Sequence, residues 1–398
     1  MQLPTILATL FASTAALTIT AEERISLTSE LEQWEATFGE VAAKNGFYPP
    51  IHGLSEDAVT DLKLQRLKDS KDRVAQLIKA NPNAAFSAQT QFGLLSADEF
   101  KAYVQKSFGK KQSLRKLRTD VDEAVDASLP ASVDWTTSKC MPPVKDQGQC
   151  GSCWTFSATG AAEIGNCIAG GTLYNLAEQE LVDCDTSDGN SGCDGGYEDK
   201  AINWIVAKGG LCLESDYPYT SGTSGKAGSC KTSCKVQKLP YVGNAVEIQG
   251  ESALASALVN QVVTVSLYAG NDAFQYYTSG ILSSCPSGQS DHAVIAVGYG
   301  SNYFKIRNSW GASWGESGYI RLSRGSGGQG TCNVAGAPAY PKLTSAGPTS
   351  QPTSAPTTAP TSKPSPTVAP TTKKPTPAPT TAAPSDSSSD SGSGSWWW

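Results

Sequence analysis

The sequence predicts an α+β fold in which a helical region precedes a β-rich region. Residues 153–168 carry apolar side chains at spacings of three to four, which is the period of a helix. Two further helices are expected over 175–183 and 199–208. After Tyr241 the pattern changes to short runs rich in β-branched residues, at 262–267, 293–298, 303–307 and 318–322. All eleven cysteines lie between Cys140 and Cys332, so both regions belong to one cross-linked part of the chain.

The first 20 residues form an apolar run without acidic or basic side chains, which ends at Glu22. This run is too short to span a membrane and is typical of a secretory signal, with a buried helix as the alternative. No later run reaches about 18 apolar residues, the length that a transmembrane helix needs. We therefore expect residues 1–20 to be a signal peptide and the protein to be secreted.

Residues 21–128 are charged, contain no cysteine and are predicted to be helical. Their apolar side chains recur at helical spacing from Leu62 to Asn81. A generic helical domain is one interpretation of this segment. Because the segment lies directly before the cysteine-containing region, we favour the interpretation that it acts on that region.

Charge and cysteine content exclude several classes of function. The net charge is −6 and the pI is about 5.2, whereas a nucleic-acid-binding face would be basic. An odd number of cysteines in an exported protein predicts five disulfides and one remaining thiol. A zinc site is the rival interpretation, but the chain beyond residue 52 has a single histidine. We therefore expect neither a metal nor a cofactor.

Three residues in sequence order suit nucleophilic catalysis on a carbonyl group: Cys153, His292 and Asn308. A thiolate attacks, an imidazole takes and returns the proton, and an amide fixes the imidazole tautomer. Cys153 begins a predicted helix, whose N-terminus favours negative charge. The rival hypothesis is a thiol-disulfide oxidoreductase that uses Cys150 and Cys153 as a redox pair.

His292 follows Cys153 by 139 residues and Asn308 follows it by 155, and these spacings match a known cysteine signature. From Leu129 to Pro341 the chain resembles the papain-like cysteine proteases, in particular cathepsin L-like endopeptidases made with a prodomain. The motifs that carry the resemblance are Gln147-Gly-Gln-Cys-Gly-Ser-Cys-Trp154, Glu178-Gln-Glu180, Leu181-Val-Asp-Cys184, Gly192-Cys-Asp-Gly-Gly196, Tyr217-Pro-Tyr219, Asp291-His-Ala293, Gly298-Tyr-Gly300, Asn308-Ser-Trp-Gly311 and Trp314-Gly-Glu316.

The resemblance implies a two-lobed catalytic domain over 129–342, with a helical left lobe and an antiparallel, β-barrel-like right lobe. Residues 21–128 would be its helical inhibitory prodomain. The function implied is a secreted cysteine endopeptidase, made as an inactive precursor, that hydrolyses protein or peptide substrates. The implied partners also include cystatin-like inhibitors, and we expect a monomer.

The resemblance also assigns roles within the site. Gln147 would complete the oxyanion hole and Trp310 would shield the His292–Asn308 contact from water. The substrate would lie along Gly151, Gly195 and Gly196. The pocket for the residue two before the cut would use Tyr197, Glu198, Ser266, Asp291, Ala293 and Ala337. Glu198 departs from the apolar residue usual there, and we expect its carboxylate at the mouth of that pocket with Asp199 beside it.

Five disulfides are implied in the same way. The resemblance gives Cys150–Cys193, Cys184–Cys230 and Cys285–Cys332, and a bridge like Cys140–Cys167 occurs in cathepsin B. Cys212 and Cys234 remain as the fifth pair, and an exchange of Cys230 with Cys234 stays open.

Residues 343–398 are expected to form a disordered, mucin-like tail. From about residue 344 to 384 the chain is almost only Thr, Pro, Ala and Ser, which cannot bury a core. It ends with Trp396-Trp397-Trp398. The tail suggests a second alternative, a surface adhesion protein whose protease domain is incidental.

Overall fold

The computed structural model describes residues 19–106 and 129–344, and these residues form an N-terminal segment (19–106) and a two-lobed region (129–344). The predicted signal peptide, the tail and the stretch 107–128 lie outside the described residues, apart from the few positions at their edges. The helical part does precede the β-rich part, as the sequence predicts.

The N-terminal segment is built on two long helices, α1 (Ala21–Asn45) and α2 (Glu56–Ala80), which pack against each other. Thr20 and Glu23 form a capping box that satisfies backbone N–H groups at the start of α1. Trp34 is fully buried, and its indole N–H donates to Thr90 O at 2.6 Å. A short strand β1 (Ala84–Phe86) and a third helix α3 (Ala97–Gln105) complete the segment.

The two-lobed region begins with the short strand β2 (Val133–Asp134). The helical lobe then contains α4 (Cys153–Ile168), α5 (Glu178–Cys184) and α6 (Glu198–Lys208). Every residue of α4 from Cys153 to Asn166 is buried, since this apolar helix packs against both α6 and the sheet. A two-stranded ribbon of β3 (Gly210–Leu211) and β4 (Gln237–Lys238) and the short helix α7 (Ser221–Ser224) follow.

The sheet lobe supplies the remaining elements: β5 (Val242–Glu247), α8 (Glu251–Leu258), β6 (Val263–Leu267), α9 (Asp272–Gln275), β7 (Tyr277–Leu282), β8 (His292–Tyr299), β9 (Tyr303–Arg307), β10 (Tyr319–Ser323) and β11 (Ala339–Leu343). Single turns of 3-10 helix occur at Trp135–Thr137 and Thr331–Asn333. Strand β8 is buried along its whole length. It lies at the centre of the sheet and carries His292 into the interior.

The main sheet is open, which corrects the expected β-barrel-like lobe. Its order in the described residues is β1-β7-β10-β9-β8-β6-β11-β5, with β2 paired to β8, so β1 and β5 form the two edges. The pairing is not antiparallel throughout, because β10 and β7 run parallel. One edge strand, β1, comes from the N-terminal segment and pairs with β7 of the sheet lobe.

Ten cysteines form disulfides in the two-lobed region. The bridges are Cys140–Cys167, Cys150–Cys193, Cys184–Cys230, Cys212–Cys234 and Cys285–Cys332. They include the four pairs that the resemblance implies and the remaining pair, without an exchange of Cys230 and Cys234. Cys153 is outside these bridges and is buried. Among the helices of the described residues, none has the length and apolarity to cross a membrane.

Candidate active site

Cys153 is the first residue of α4, and its thiol meets the sheet lobe there. The backbone N–H of Ala293 on β8 lies 3.2 Å from Cys153 Sγ, in hydrogen-bonding geometry. The N-terminus of a helix carries a partial positive charge that stabilises a thiolate. The two lobes therefore place the sulfur atom between a backbone N–H donor of β8 and the N-terminus of α4.

His292 is the residue next to Ala293, and its imidazole is held by Asn308. The distance from His292 Nε2 to Asn308 Oδ1 is 2.7 Å. Because this Asn308 oxygen also accepts a hydrogen bond from Ser309 N at 2.8 Å, it is the acceptor and Nε2 carries the proton. The second ring nitrogen, Nδ1, has no hydrogen-bond partner among the described residues. This tautomer leaves Nδ1 as a proton acceptor.

The imidazole lies in a dry environment. His292 is fully buried, and burial lowers its pKa from 6.5 to about 4 although the hydrogen bond to Asn308 opposes this shift. The Trp310 ring stacks on it, with centroids 4.7 Å apart and 23° between the planes. Trp310 thus covers the face of the His292 ring beside the Asn308 contact.

Gln147 is fixed close to Asn308 by hydrogen bonds from both ends of its amide. Its Oε1 accepts from Ser309 Oγ at 2.7 Å and its Nε2 donates to Cys150 O at 3.1 Å. Its backbone O accepts from the Tyr219 hydroxyl at 2.7 Å. The roles of Ser309 and Tyr219 escaped sequence reasoning, although both stand inside motifs that it singled out.

At the glycines that are expected to contact the substrate, a side chain would either clash with its neighbours or require a strained backbone. A Cβ on Gly196 would meet the Trp154 ring at 2.6 Å. A Cβ on Gly151 would meet Lys106 O at 2.3 Å and Cys193 O at 2.4 Å. Gly195 has a φ of 99°, which side chains rarely adopt.

The Glu198 side chain, which is expected at the mouth of the pocket, is buried. Only 4% of Glu198 is exposed. Its Oε1 accepts a hydrogen bond from Ser266 Oγ at 2.8 Å, a residue of β6 in the other lobe. Asp199 is equally buried and lies 3.3 Å from Lys200 Nζ.

The other predicted pocket residues lie beside elements of both lobes. Tyr197 directly precedes α6 and is half-buried. Asp291 precedes β8, and its carboxylate accepts from the backbone N–H of Ala269 at 2.7 Å. Burial raises the pKa of Asp291 from 3.8 to about 7. Ala337 is half-buried and lies two residues before Ala339, which pairs with Thr264 of β6.

A buried charge cluster lies in the helical lobe, and sequence reasoning did not find it. Lys145 Nζ is 2.6 Å from Glu178 Oε1 and 3.9 Å from Glu163 Oε2. Burial raises the pKa of Glu163 from 4.5 to about 7, although Lys145 opposes this shift. Lys145 Nζ also donates to Leu176 O at 3.1 Å, so the cluster stabilises the loop before α5.

The N-terminal segment covers the active site. Phe92, Phe100 and Tyr103 pack against the Trp310 ring, with centroid distances of 5.2, 5.8 and 6.2 Å. Gln91 Nε2 donates to Trp310 O at 3.1 Å. Together with the contact of Lys106 O with Gly151, these interactions extend from the His292 side of the site to the Cys153 side.

One group of side chains in the described residues has the spacing of a metal site: Glu180, Cys212 and Cys234. The two sulfurs are bonded to each other, so neither is a thiolate ligand. Glu180 accepts from Cys212 N at 2.7 Å and pairs with Lys208. While Cys212 and Cys234 are joined in a disulfide, these residues do not fit a metal ion.

Comparison with known proteins agrees with this geometry. Residues 129–342 match the model of the papain family cysteine proteases. The chain is 42% identical to the probable cysteine protease RD21C of Arabidopsis thaliana over 66% of this chain and 59% of that protein. It is 38% identical to the germination-specific cysteine protease 1 of the same plant, over 79% of this chain and 84% of that protein. The chain thus spans about three fifths of the first of these relatives.

Solved precursor structures share the fold. The proform of the Amb a 11 cysteine protease, a ragweed pollen allergen, aligns with a TM-score of 0.68 and 28% identity, over 83% of this chain and 90% of that one. Procathepsin L 3 of Tenebrio molitor larval midgut aligns with a TM-score of 0.62 and 32% identity, over 80% and 99%. The chain therefore belongs to the papain family of cysteine proteases.

Proposed function

We propose that this protein is a cysteine endopeptidase that cleaves peptide bonds with Cys153, His292 and Asn308. One observation carries the proposal: the Cys153 sulfur and the His292–Asn308 pair meet at the start of β8, where Ala293 N–H lies 3.2 Å from Sγ and His292 lies 2.7 Å from Asn308. A nucleophile, a base and a group that orients the base are the three parts that this kind of acyl transfer uses.

In the proposed reaction the Cys153 thiol loses its proton to His292 Nδ1, and the sulfur attacks the carbonyl carbon of the peptide. The tetrahedral intermediate collapses when His292 returns this proton to the leaving amine, which breaks the C–N bond. Water then loses a proton to His292 and attacks the thioester carbon. This second collapse releases the carboxylic acid and restores the thiol, so the enzyme is unchanged.

The oxyanion of each intermediate would be held by Gln147 Nε2 and the backbone N–H of Cys153. Support comes from the hydrogen bonds of Gln147 with Ser309 and Cys150, which hold both ends of its amide in place. Trp310 excludes water from the His292–Asn308 contact. The hydrogen bond to Asn308 would keep a proton on His292 Nε2, so that Nδ1 can accept the proton of the thiol.

The N-terminal segment acts as the inhibitory part of a precursor. The aromatic contacts with Trp310 and the contact of Lys106 O with Gly151 support this role. The proposed organisation is a signal peptide at 1–20, a prodomain at 21–128, the catalytic domain at 129–342 and a mucin-like tail at 343–398. The precursor is secreted, and its five disulfides suit an oxidising compartment.

Thiol-disulfide exchange is the less favoured function. A redox pair would join Cys150 with Cys153, whereas Cys150 is bonded to Cys193. Cys153 is buried next to a histidine–asparagine pair instead. Acyl transfer uses all three groups, and disulfide exchange uses only one of them.

The experiment that tests the function compares the activated enzyme with its Cys153→Ser variant. Serine preserves the size of the side chain but is much less acidic, so peptide hydrolysis should fall to background while the fold is kept. An epoxide reagent should label the wild type at Cys153 alone. Full hydrolysis by the serine variant, or an adduct on another residue, would contradict the assignment.

A further inference from the structure

The Tyr219 hydroxyl connects two points of the chain segment that leads into Cys153. It lies 2.7 Å from the backbone O of Gln147 and 2.7 Å from Oγ of Ser152. Because a carbonyl oxygen can only accept, the single hydroxyl proton of Tyr219 goes to Gln147 O, and Ser152 Oγ donates to the Tyr219 oxygen. One hydroxyl thus links Gln147 with the residue directly before Cys153.

Ser152 uses its side chain for this link and not to cap its own helix. It is the N-cap residue of α4 and is fully buried. A serine at this position usually accepts a hydrogen bond from the first turn of the helix, whereas Ser152 makes no such side-chain bond with the residues that the structure describes. Its Oγ is 3.5 Å from Cys150 O and closer to Tyr219. The link therefore ends on the residue whose peptide bond carries the Cys153 N–H.

At the other end of the link, both backbone polar groups of Gln147 are bonded. Its N–H donates to Ser309 O at 2.9 Å, and its O accepts from Tyr219. The side-chain amide is held separately by Ser309 Oγ and Cys150 O. The Tyr219 hydroxyl thus fixes the backbone from which the Gln147 amide extends.

Tyr219 is itself held in a defined orientation. Its ring packs edge-on against Phe156, with centroids 5.0 Å apart and 84° between the planes, and its N–H donates to Glu214 Oε1 at 2.8 Å. Gly222 leaves room for the link, since a Cβ there would lie 2.8 Å from Tyr219 Cε1 and 3.2 Å from Gln147 O. Burial raises the pKa of the Tyr219 hydroxyl well above its ordinary value, so the group keeps its proton at neutral and acidic pH.

We propose that Tyr219 is a positioning residue for the oxyanion hole and acts on both of its donors at once. This inference rests on the proposed peptidase function, in which Gln147 Nε2 and Cys153 N–H stabilise the tetrahedral intermediate. Such donors contribute most when they are fixed before the negative charge develops. A hydroxyl bonded to Gln147 and to Ser152 fixes the two donors relative to each other. Tyr219 would act through these residues and not on the substrate.

The test is Tyr219→Phe, which removes this one hydroxyl, in activated enzyme made from the full chain. Because the lost interaction acts on the intermediate, kcat and kcat/KM for a short peptide should both fall about tenfold, which corresponds to 1.4 kcal/mol, while KM stays within about twofold. The inhibition constant of a peptide aldehyde should rise by a similar factor, since its adduct with Cys153 places an oxygen in the same hole. Titration with an epoxide gives the concentration of competent enzyme in each sample.

A reaction without an oxyanion separates positioning from a general loss of structure. Attack of Cys153 on a small pyridyl disulfide uses the thiol and the imidazole but no oxyanion hole, so its rate and pH profile should be the same in wild type and Tyr219→Phe. Tyr217→Phe is the matched control, because it removes a hydroxyl two residues away that donates to Asp183 Oδ2 at 2.8 Å. Its kcat should equal that of wild type.

Two further variants test the route of the effect. In a Gln147→Ala background one donor is already lost, so Tyr219→Phe should lower kcat by only about threefold. Ser152→Ala breaks the link toward Cys153 and keeps the bond to Gln147. It should lower kcat by about threefold and leave the pyridyl disulfide reaction unchanged.

Equal kcat values of Tyr219→Phe and Tyr217→Phe would overturn the inference, and so would full additivity of Tyr219→Phe with Gln147→Ala. A parallel loss of the pyridyl disulfide reaction would also overturn it, because the hydroxyl would then support the thiol and imidazole themselves. If Tyr219→Phe does not fold, Ser152→Ala decides, and an unchanged kcat in that variant overturns the inference. In all these cases the wild type still hydrolyses peptides and the proposed function stands, whereas a wild type without hydrolysis would refute both.

Discussion

Replacing Phe92 by alanine should release the active site of the precursor. The Phe92 ring is fully buried and contacts Phe47, Phe100 and Tyr103 of its own segment and Trp310 of the catalytic region. The change therefore removes packing inside the N-terminal segment and also the contact that covers the site.

The size of the effect follows from these two parts. A buried Phe→Ala change costs about 3–5 kcal/mol of stability. Most of this loss falls on the segment itself, because three of the four aromatic neighbours belong to it. An aromatic pair such as Phe92–Trp310 contributes roughly 0.5–1.5 kcal/mol beyond burial. Loss of the Phe92–Trp310 pair weakens only the binding of the N-terminal segment to the catalytic region. It should raise the population of precursor molecules whose site is uncovered by roughly two- to tenfold.

The rate at which an epoxide labels Cys153 in the intact precursor measures that population. Phe38→Ala is the matched control, since Phe38 is also buried in the segment but its ring contact is with Trp34 and not with Trp310. Both variants should label faster than wild type, and Phe92→Ala should exceed Phe38→Ala by that two- to tenfold factor. Equal labelling rates of the two variants would refute the idea that the contact with Trp310 closes the site.

Three other outcomes are expected. Cys150→Ser should lower the free energy of unfolding by about 2–5 kcal/mol through loss of the bridge to Cys193; urea unfolding tests this, and an unchanged midpoint would contradict it. The lowered pKa of His292, about 4 against 6.5, means that the folded chain binds fewer protons there than the unfolded chain. The neutral imidazole therefore contributes roughly 3 kcal/mol to the free energy of unfolding. This contribution is complete above pH 6.5 and is lost as the pH falls toward 4. In a Cys153→Ser precursor, His292→Gln should flatten the fall of Tm between pH 7 and 4, and an identical slope would count against a buried neutral imidazole. Deletion of residues 345–398 should leave kcat/KM for a short peptide unchanged, because we expect a tail of this composition not to pack on the core; a clear loss of activity would show that the tail takes part.

The elements that carry the candidate catalytic residues Cys153 and His292 could be predicted from the sequence. Cys153 begins α4 and His292 begins β8, as the helix period and the β-rich run after Asp291 indicate. These elements are defined by local patterns, namely apolar side chains every three to four residues or a short β-branched run. For α4, α6 and the strands β6, β8, β9 and β10 such patterns place both ends within one residue, whereas α5 begins three residues later than expected.

Features that depend on distant partners were missed or misjudged. The β-barrel-like lobe that the resemblance implies is an open sheet, and the strand pattern of the sequence does not tell whether the first and last strands pair. The burial of Glu198 could not be predicted, because its partner Ser266 is 68 positions away in the sequence. Ser70 Oγ lies 2.9 Å from the Tyr276 hydroxyl and Arg73 pairs with Asp272. No local pattern predicts these contacts, because the partners lie about 200 positions further along the chain.

All five disulfides lie in the two-lobed region and none in the N-terminal segment. One cut between residues 106 and 129 therefore leaves the segment bound by non-covalent contacts alone. Before the cut, the tether keeps the local concentration of the segment at the site in the millimolar range. After the cut, binding depends on the total protein concentration, so dilution drives dissociation. After the cut, removal of the segment would therefore be irreversible in practice at low protein concentration.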